Sequence, residues 1–182
     1  MNVSRTTNLA LLNYEHKDEL FRLLDKNRGH LREWLPWVDT NTTSADTESF
    51  IQSVIAQYNS GRGPQYVIYH DSVMCGVCGF LPIDRINRGG MIGYWLSQEF
   101  SGQGIMTGSV RKLLKVGFGD YNLNRIEIAC ATENFKSRAI PERLGFKLEG
   151  VLRGRENLYG KYVDHAIYSM LASEYFENRY GC

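Results

Sequence analysis

The sequence has 182 residues, 43% of them hydrophobic and 23% charged, with a formal net charge of +1 at pH 7. This length suits one domain with a sizeable core, so we expect a single domain over residues 1–182. The near-neutral charge argues against direct binding of nucleic acid or of a membrane surface, and no apolar run approaches the length of a transmembrane helix. Because the N-terminus also lacks a signal-peptide core, we expect a cytoplasmic location.

The first third of the chain predicts one strand followed by helices. The strand covers residues 8–14, and the two main helices cover 16–27 and 44–61. Pro36 should stop any helix between them. The second helix has Thr43 or Ser44 as its N-cap, and Gly61 should end it.

The rest of the chain alternates strands and helices. Residues 65–70, 73–83 and 89–97 form three strands that short turns make antiparallel. A helix up to Asp120 and a strand over 124–131 follow, and this strand–helix–strand unit should make its two strands parallel. A helix over 134–145 comes next. The pattern ends in a hairpin around Gly160, whose strands cover 146–159 and 161–172. The fold class is mixed α/β.

Two cysteines form a C-x-x-C pair at Cys75 and Cys78, which suggests redox chemistry or half of a zinc site. Their segment alternates like a strand, which should send the two thiols to opposite faces. The histidines are scattered, so no second pair of ligands is evident. We therefore interpret both as buried strand thiols and expect no metal site.

The segment FSGQGIMTG, residues 100–108, joins a predicted strand to a predicted helix and should present backbone N–H groups to an anion. It has no lysine, which argues against a nucleotide-hydrolysing P-loop. It has Thr107 where a dinucleotide-binding turn needs its third glycine. The pyrophosphate of coenzyme A (CoA) needs neither lysine nor Mg²⁺. A glycine turn that binds nothing remains the alternative.

The segment QEFSGQGIMT resembles motif A of the GNAT acetyltransferase superfamily, Q/R-x-x-G-x-G/A. Ser101 replaces the usual Gln or Arg, Gly104 matches, and Met106 replaces the usual Gly or Ala. Further segments are similar to the branch that acetylates the N-termini of ribosomal proteins, namely NRGHLREWLPWVD, ENFKSRAIPERLGFKLEGVLR and GKYVDHAIYSMLASEY. The resemblance implies a GNAT-like fold, in which antiparallel strands precede a parallel unit with splayed strands and a C-terminal hairpin.

The resemblance also implies acetyl-CoA as cosubstrate, without a metal, and roles for three catalytic residues. The backbone N–H of Leu96 would bind the thioester carbonyl, Ser137 would serve the leaving thiolate, and Glu156 would be the general base, acting through water. The implied cofactor-binding residues are Leu96, Ser101, Gly102, Gln103, Gly104, Ile105, Met106, Thr107, Asn134, Phe135 and Ser137.

Several of these residues also have a purely structural interpretation. Asn134 suits the N-cap of the next helix, and Glu156 suits the solvated face of a hairpin strand. Within that predicted helix, Pro141 cannot donate to the carbonyl of Ser137, so the backbone there should be kinked or hydrated. Cys130 is a rival nucleophile for a ping-pong route, but no histidine base is evident beside it.

The sequence thus predicts an N-acetyltransferase that transfers acetyl directly to a primary amine, in particular the N-terminal α-amine of a ribosomal protein. The alternatives are a small-molecule amine as acceptor, or a CoA-binding module without turnover. Trp34 and Trp37 are candidates for the acceptor pocket, although aromatic residues also build cores. We also predict a homodimer, in which the aromatic-rich strand 161–171 packs on or pairs with a partner.

Overall fold

The computed structural model describes residues 1–180, with side chains up to residue 177. Within that range, seven strands form one mixed sheet in the order β1–β2–β3–β4–β5–β7–β6. The strands are β1 Thr7–Leu11, β2 Gln65–His70, β3 Val73–Phe80, β4 Gly89–Leu96, β5 Arg125–Ala131, β6 Lys147–Leu158 and β7 Lys161–Leu171.

Helices cover both faces of this sheet. They are α1 Lys17–Lys26, α2 Arg28–Leu31, α3 Ser44–Asn59, α4 Ile105–Lys115, α5 Phe135–Arg143 and α6 Ala172–Tyr180. The predicted hairpin is present, but the sequence patterns missed α6, which follows it directly. No helix in the described range is long and apolar enough to cross a membrane.

Local sequence signals explain most helix ends. The Thr43 side chain accepts a hydrogen bond from the backbone N–H of Asp46, and the Asp46 carboxylate accepts one from the Thr43 N–H, so Thr43 rather than Ser44 caps α3. Asn134 caps α5 by accepting a hydrogen bond from the Ser137 N–H at 3.1 Å. Pro36 begins a 3₁₀ turn, Pro36–Thr40, because a proline N needs no hydrogen-bond partner at a helix start.

The parallel unit is confirmed, and its strands diverge. Strand β3 pairs antiparallel with both β2 and β4, as predicted. Strand β4 pairs in parallel with β5 only from Gly89 to Met91. Beyond Met91, β4 stays paired with β3, while β5 pairs with β7. The divergence opens a gap in the middle of the sheet.

The two thiols of the C-x-x-C pair lie on the same face, so the predicted alternation is wrong. The register between β2 and β3 shifts at Ile68/Tyr69, leaving Cys75 as the extra residue of a β-bulge. Cys75 and Cys78 therefore share one buried cluster with Ile68. Both are free and fully buried, as predicted, and burial raises the pKa of each thiol.

The middle of strand β7 cannot pair with a partner molecule. It lies between β5 and β6, and over residues 165–169 both of its edges are already hydrogen-bonded. The free edge at this end of the sheet belongs to β6, most of which is exposed. The prediction of pairing with a partner is therefore wrong for residues 165–169, because the sequence of a hairpin does not show which of its strands turns inward. Packing of this strand on a partner stays a prediction.

Candidate functional site

A cavity of about 880 Å³ opens where β4 and β5 diverge. Two groups of residues that line it are named here. The helix wall consists of residues 100–102 and 104–108, which form the turn before α4 and the start of that helix, with Asn134, Lys136, Ser137, Ile140 and Arg143 at α5. The loop wall consists of His30, Leu31, Trp34 and Leu35 together with Glu156 of β6.

The glycine turn gives the helix wall an open row of donors. Gly102 and Gly104 have φ of +80° and +77°, a backbone conformation that residues with a Cβ seldom adopt. The first N–H groups of a helix have no partner inside it, and no side chain caps the N-terminus of α4. A Cβ at either glycine would meet nothing within 4 Å. The turn thus leaves its backbone bare toward the cavity and suits an anion.

The end of β4 presents its backbone to the gap. The Ser97 N–H donates to the Cys75 carbonyl at 2.8 Å and so points toward β3. Because successive N–H groups of a strand point in opposite directions, the N–H of Leu96 points away from β3 and into the gap. A ligand lying in the gap could use this donor.

Pro141 leaves one carbonyl of α5 without a helical partner, and Tyr94 supplies the missing hydrogen bond. The Tyr94 hydroxyl donates to the Ser137 carbonyl at 3.0 Å. The Ser137 hydroxyl donates to the Tyr94 oxygen at 3.3 Å and lies 3.2 Å from the Cys130 sulfur. Three protic groups thus meet at one point of the cavity wall, and the carbonyl predicted to be kinked or hydrated is bonded by a side chain.

Burial sets the protonation of this cluster. It raises the pKa of the Tyr94 phenol well above its usual value and raises the pKa of the Cys130 thiol. Both groups are therefore neutral donors near pH 7. Neither of the hydrogen-bond partners of Cys130 is a histidine or another base. The cluster suits proton donation to an anionic sulfur better than nucleophilic attack.

Glu156 reaches the cavity from β6. Its Oε2 lies 3.0 Å from Nε2 of His165 on β7, and both side chains are partly buried. His165 therefore holds the carboxylate in place. A hydrogen-bonded carboxylate at a cavity wall can accept a proton directly or through water.

A cation links the loop wall to the hairpin turn. The guanidinium of Arg32 makes two hydrogen bonds to the Asp39 carboxylate, at 3.0 and 2.7 Å. It also lies 4.4 Å from the centre of the Tyr159 ring. The segment after α2 and the β6–β7 turn are thus held together beside the cavity.

The structure brings most of the predicted site residues together. Those lining the cavity are Trp34, Leu96, Ser101, Gly102, Gly104, Ile105, Met106, Thr107, Asn134, Ser137 and Glu156. Gln103 instead donates to the Glu99 carbonyl, and the Phe135 ring is exposed beside Arg138. Trp37 lines a second cavity.

Four further residues of the cavity were not predicted from the sequence, namely Tyr94, Arg111, Lys136 and Arg143. The carbonyl freed by Pro141 was the signal for a donor such as Tyr94, but nothing in the sequence pointed to strand β4. In the part of the chain that the structure describes, no group of three or more His, Cys, Asp or Glu side chains could hold a metal ion.

Comparison with known proteins gives consistent results. The family model for an acetyltransferase (GNAT) domain matches residues 8–147. YdaF of Bacillus subtilis (strain 168), named as a candidate ribosomal N-acetyltransferase, is 37% identical over 177 residues, 95% of each chain.

Two solved structures are similar over most of the chain. RimL, a ribosomal L7/L12 alpha-N-protein acetyltransferase in complex with CoA, has a TM-score of 0.90 and 33% identity, and the match covers 93% of this chain and 96% of RimL. The CoA in that complex is joined to a cysteine as a disulfide. MccE, a microcin C7 self-immunity acetyltransferase in complex with acetyl-CoA and AMP, has a TM-score of 0.86 and 31% identity, covering 93% and 94% of the two chains.

Proposed function

The chain belongs to the GNAT acetyltransferase family, and on that premise we propose that it transfers the acetyl group of acetyl-CoA to the N-terminal α-amine of a ribosomal protein. One observation carries the proposal. A lysine-free glycine turn, the free N–H of a diverging strand and a carboxylate converge on one cavity. The similarity to RimL over nearly the whole chain supports the choice of acceptor.

Acetyl-CoA would lie along the helix wall. Its pyrophosphate would accept hydrogen bonds from the uncapped N–H groups at the start of α4, where the helix dipole also favours negative charge. Its pantetheine arm would occupy the gap between β4 and β5 and pair with exposed backbone as a strand does. Neither contact requires a metal ion.

The protein would stabilise charge at two atoms during transfer. The Leu96 N–H would donate to the thioester oxygen, which becomes negative as the amine attacks. The Ser137 hydroxyl, which in the free protein donates to the Tyr94 oxygen, would turn to donate a hydrogen bond to the sulfur as the carbon–sulfur bond breaks. CoA would leave as a thiolate and take up a proton from water, while Glu156 would release to water the proton removed from the amine.

Glu156 would remove the proton from the amine, directly or through water. Near an α-amino pKa of 7.7, about a sixth of the amine is neutral at pH 7, against about 0.04% of a lysine amine near 10.4. A single carboxylate held by His165 suits an α-amine better than a lysine amine, because the α-amine is much easier to deprotonate near pH 7.

Direct transfer also fits the environment of Cys130, whose pKa burial raises. The intact mass of the protein after mixing with acetyl-CoA alone tests this. We expect no acetyl adduct. The measurement is made with a phosphine reductant, because a disulfide such as the one in the RimL complex would also add mass, whereas a thiol reductant would cleave an acetyl-cysteine thioester. A reductant-resistant acetyl group on Cys130 would establish a ping-pong route.

An acceptor panel tests the proposed function. Thiol release from acetyl-CoA is measured with N-terminal peptides of ribosomal proteins, the same peptides with a blocked α-amine, and polyamines. We expect release only with the free α-amine. Faster reaction with polyamines, or with the blocked peptides through lysine, would refute the proposed acceptor. Mass spectrometry of protein N-termini from cells with and without the protein identifies the target.

A small-molecule amine is the second candidate acceptor. The similarity to MccE, described in complex with acetyl-CoA and AMP, supports it, since that match covers as much of this chain as the RimL match. The same thiol-release assay with small amines, among them nucleotides that carry a primary alkyl amine, separates the two acceptor classes.

We also propose that the protein acts in the cytoplasm and does not bind nucleic acid directly. We further propose that it is a homodimer and that β6 provides the dimer interface. This strand is a free sheet edge with exposed Leu148, Val151 and Leu152. Sedimentation of the wild type and of Val151→Lys tests the interface. A monomeric wild type at micromolar concentration would contradict it.

A further inference from the structure

The β6–β7 hairpin is irregular directly before Glu156. Leu152 of β6 pairs with His165 of β7, and the pairing resumes with Glu156 opposite Val163. In the described structure, residues 153–155 have no ladder partner, so three residues of β6 stand opposite one residue of β7. A regular antiparallel pair has one residue opposite one, so β6 contains a bulge here.

A side chain takes the place of the missing ladder bonds. Asp164, the β7 residue opposite the bulge, accepts a hydrogen bond at its Oδ1 from the Gly154 N–H at 2.8 Å. Its backbone carbonyl accepts another from the N–H of Thr132, directly after β5, at 2.9 Å. Gly154 has a φ of +57°, a conformation that favours glycine. Asp164 thus ties the bulge of β6 to the inner strands of the sheet.

The residue that follows the bulge is the proposed base. Among the residues of β6, all of which the structure describes, Glu156 alone lines the first cavity. Its Oε2 lies 3.0 Å from Nε2 of His165, the residue after Asp164. Two consecutive residues of β7 therefore act on Glu156. One holds its carboxylate, and the other holds the backbone just before it.

The position of Glu156 on an edge strand makes these contacts important. Within the sheet, β6 pairs with β7 on one side only. Where its ladder is interrupted, an edge strand has few hydrogen bonds and can open locally. A catalytic group has to stay within about 0.5 Å of its working position, and a displacement of about 1 Å can lower the rate about a hundredfold. Without the bond from Gly154 to Asp164, Glu156 would be present but poorly placed.

We propose that Asp164 is a positioning residue, which keeps the base at the cavity by holding the backbone of the bulge. The inference rests on the proposed role of Glu156 and adds the residue that this role depends on. Asp164 is not among the residues that line the first cavity. Its removal should therefore lower kcat while the affinity for CoA and the KM of the acceptor stay unchanged.

Steady-state kinetics of single and double variants, with the acceptor that the panel identifies, test the inference. Asp164→Ala should lower kcat about tenfold. Asp164→Asn should restore most of this loss, because the amide oxygen of asparagine can accept the same hydrogen bond. In Glu156→Gln, which has already lost the base, Asp164→Ala should cause less than about a twofold further loss. A residue that only stabilises the fold would lower the activity by the same factor in both backgrounds.

Asn157→Ala is the matched control. The Asn157 side chain accepts a hydrogen bond from the Gly160 N–H at 2.7 Å, so this variant also removes a bond between a side chain and a backbone N–H of the hairpin, but beyond Glu156. Its kcat should match that of the wild type. Thermal melts and sedimentation show that each variant is folded and keeps the wild-type association state. Gly154→Ala, which strains the bulge at a positive φ, should also lower kcat and replaces Asp164→Ala if that variant is unstable.

Three results would overturn the inference. They are an unchanged kcat in Asp164→Ala, an Asp164→Asn as slow as Asp164→Ala, and equal factors of loss from Asp164→Ala in the wild type and in Glu156→Gln. The proposed function is tested by Glu156→Gln alone. A fully active Glu156→Gln would refute the proposed base and this inference with it. An impaired Glu156→Gln beside a fully active Asp164→Ala would refute this inference alone.

Discussion

The helix wall and the loop wall of the first cavity are built in different ways. The helix wall presents backbone groups, held by two left-handed glycines and by the Asn134 cap. The loop wall presents side chains from distant segments, held by the Arg32 contacts and by the Glu156–His165 pair. CoA is the same molecule for every acceptor, so a wall of backbone groups, which most substitutions leave in place, suits it. A wall of side chains can change by substitution and so can be adapted to a particular acceptor. Substitutions on the two walls should therefore have separable effects on CoA and acceptor.

The largest effect is expected on the loop wall. Glu156→Gln should lower kcat/KM by about 10²–10⁴-fold, because it removes the base and leaves the shape of the side chain. The loss should shrink at high pH, where the amine is already neutral, and the affinity for CoA should not change. Steady-state kinetics across pH provide the measurement, with Glu33→Gln as an exposed control. A loss that is equal at every pH would exclude Glu156 as the base.

The next largest effect is expected on the helix wall. Gly104→Val should weaken CoA binding about ten- to hundredfold, because Gly104 has a φ of +77° and a branched side chain would cover the N-terminus of α4. Calorimetry measures the affinity, and Gly119→Ala controls for general destabilisation, since a Cβ there has open space and an ordinary φ. An unchanged affinity would mean that the turn binds no ligand. A requirement for Mg²⁺ or Zn²⁺ in wild-type binding would contradict metal-free binding.

A smaller effect is expected at the Ser137 cluster, where the helix wall meets Tyr94 and Cys130. Ser137→Ala should lower kcat about tenfold, because the departing thiolate loses a donor. The helix cap survives, since Asn134 accepts from the backbone of residue 137 rather than from its side chain. Unlike the loss in Glu156→Gln, this loss should persist at high pH. Recovery of kcat at high pH would assign Ser137 to the amine instead of the sulfur.

The smallest effect is expected at the hairpin contact. Arg32→Ala should raise the KM of the acceptor by about two- to fivefold. The effect is small because an exposed ion pair and an exposed cation–π contact each contribute little free energy to holding the wall in place. The affinity for CoA should not change. Arg22→Ala, on the exposed face of α1, is the control. An effect on CoA instead of the acceptor would mean that the two walls are not independent.

The difference between the walls also explains what the sequence could predict. The glycine turn, the parallel unit and the Asn134 cap are specified by residues close together in the chain, so local patterns identified them. Tyr94 was missed because its role depends on Pro141, which lies on a different element. Trp37 was predicted beside Trp34, but the 3₁₀ turn starting at Pro36 directs it into the second cavity.

The same limit applies to the sheet. Alternation placed Cys75 and Cys78 on opposite faces because a β-bulge adds one residue without leaving a pattern in the sequence. The inward position of β7 depends on its pairing with β5, which is a contact between distant parts of the chain. Register and strand order are set by the whole sheet, and no single segment encodes them.

The divergence of β4 from β5 also has a consequence for the exchange of amide protons with water. In the free protein, the Leu96 amide points into the open gap, whereas the Ser97 amide is bonded to Cys75. Two neighbouring amides on one rigid strand should therefore exchange at very different rates. Saturation with CoA should slow the exchange at Leu96 and leave Ser97 nearly unchanged. This pair of amides would thus report occupancy of the gap without any substitution or label, and equal slowing at both would indicate a general stiffening of the strand.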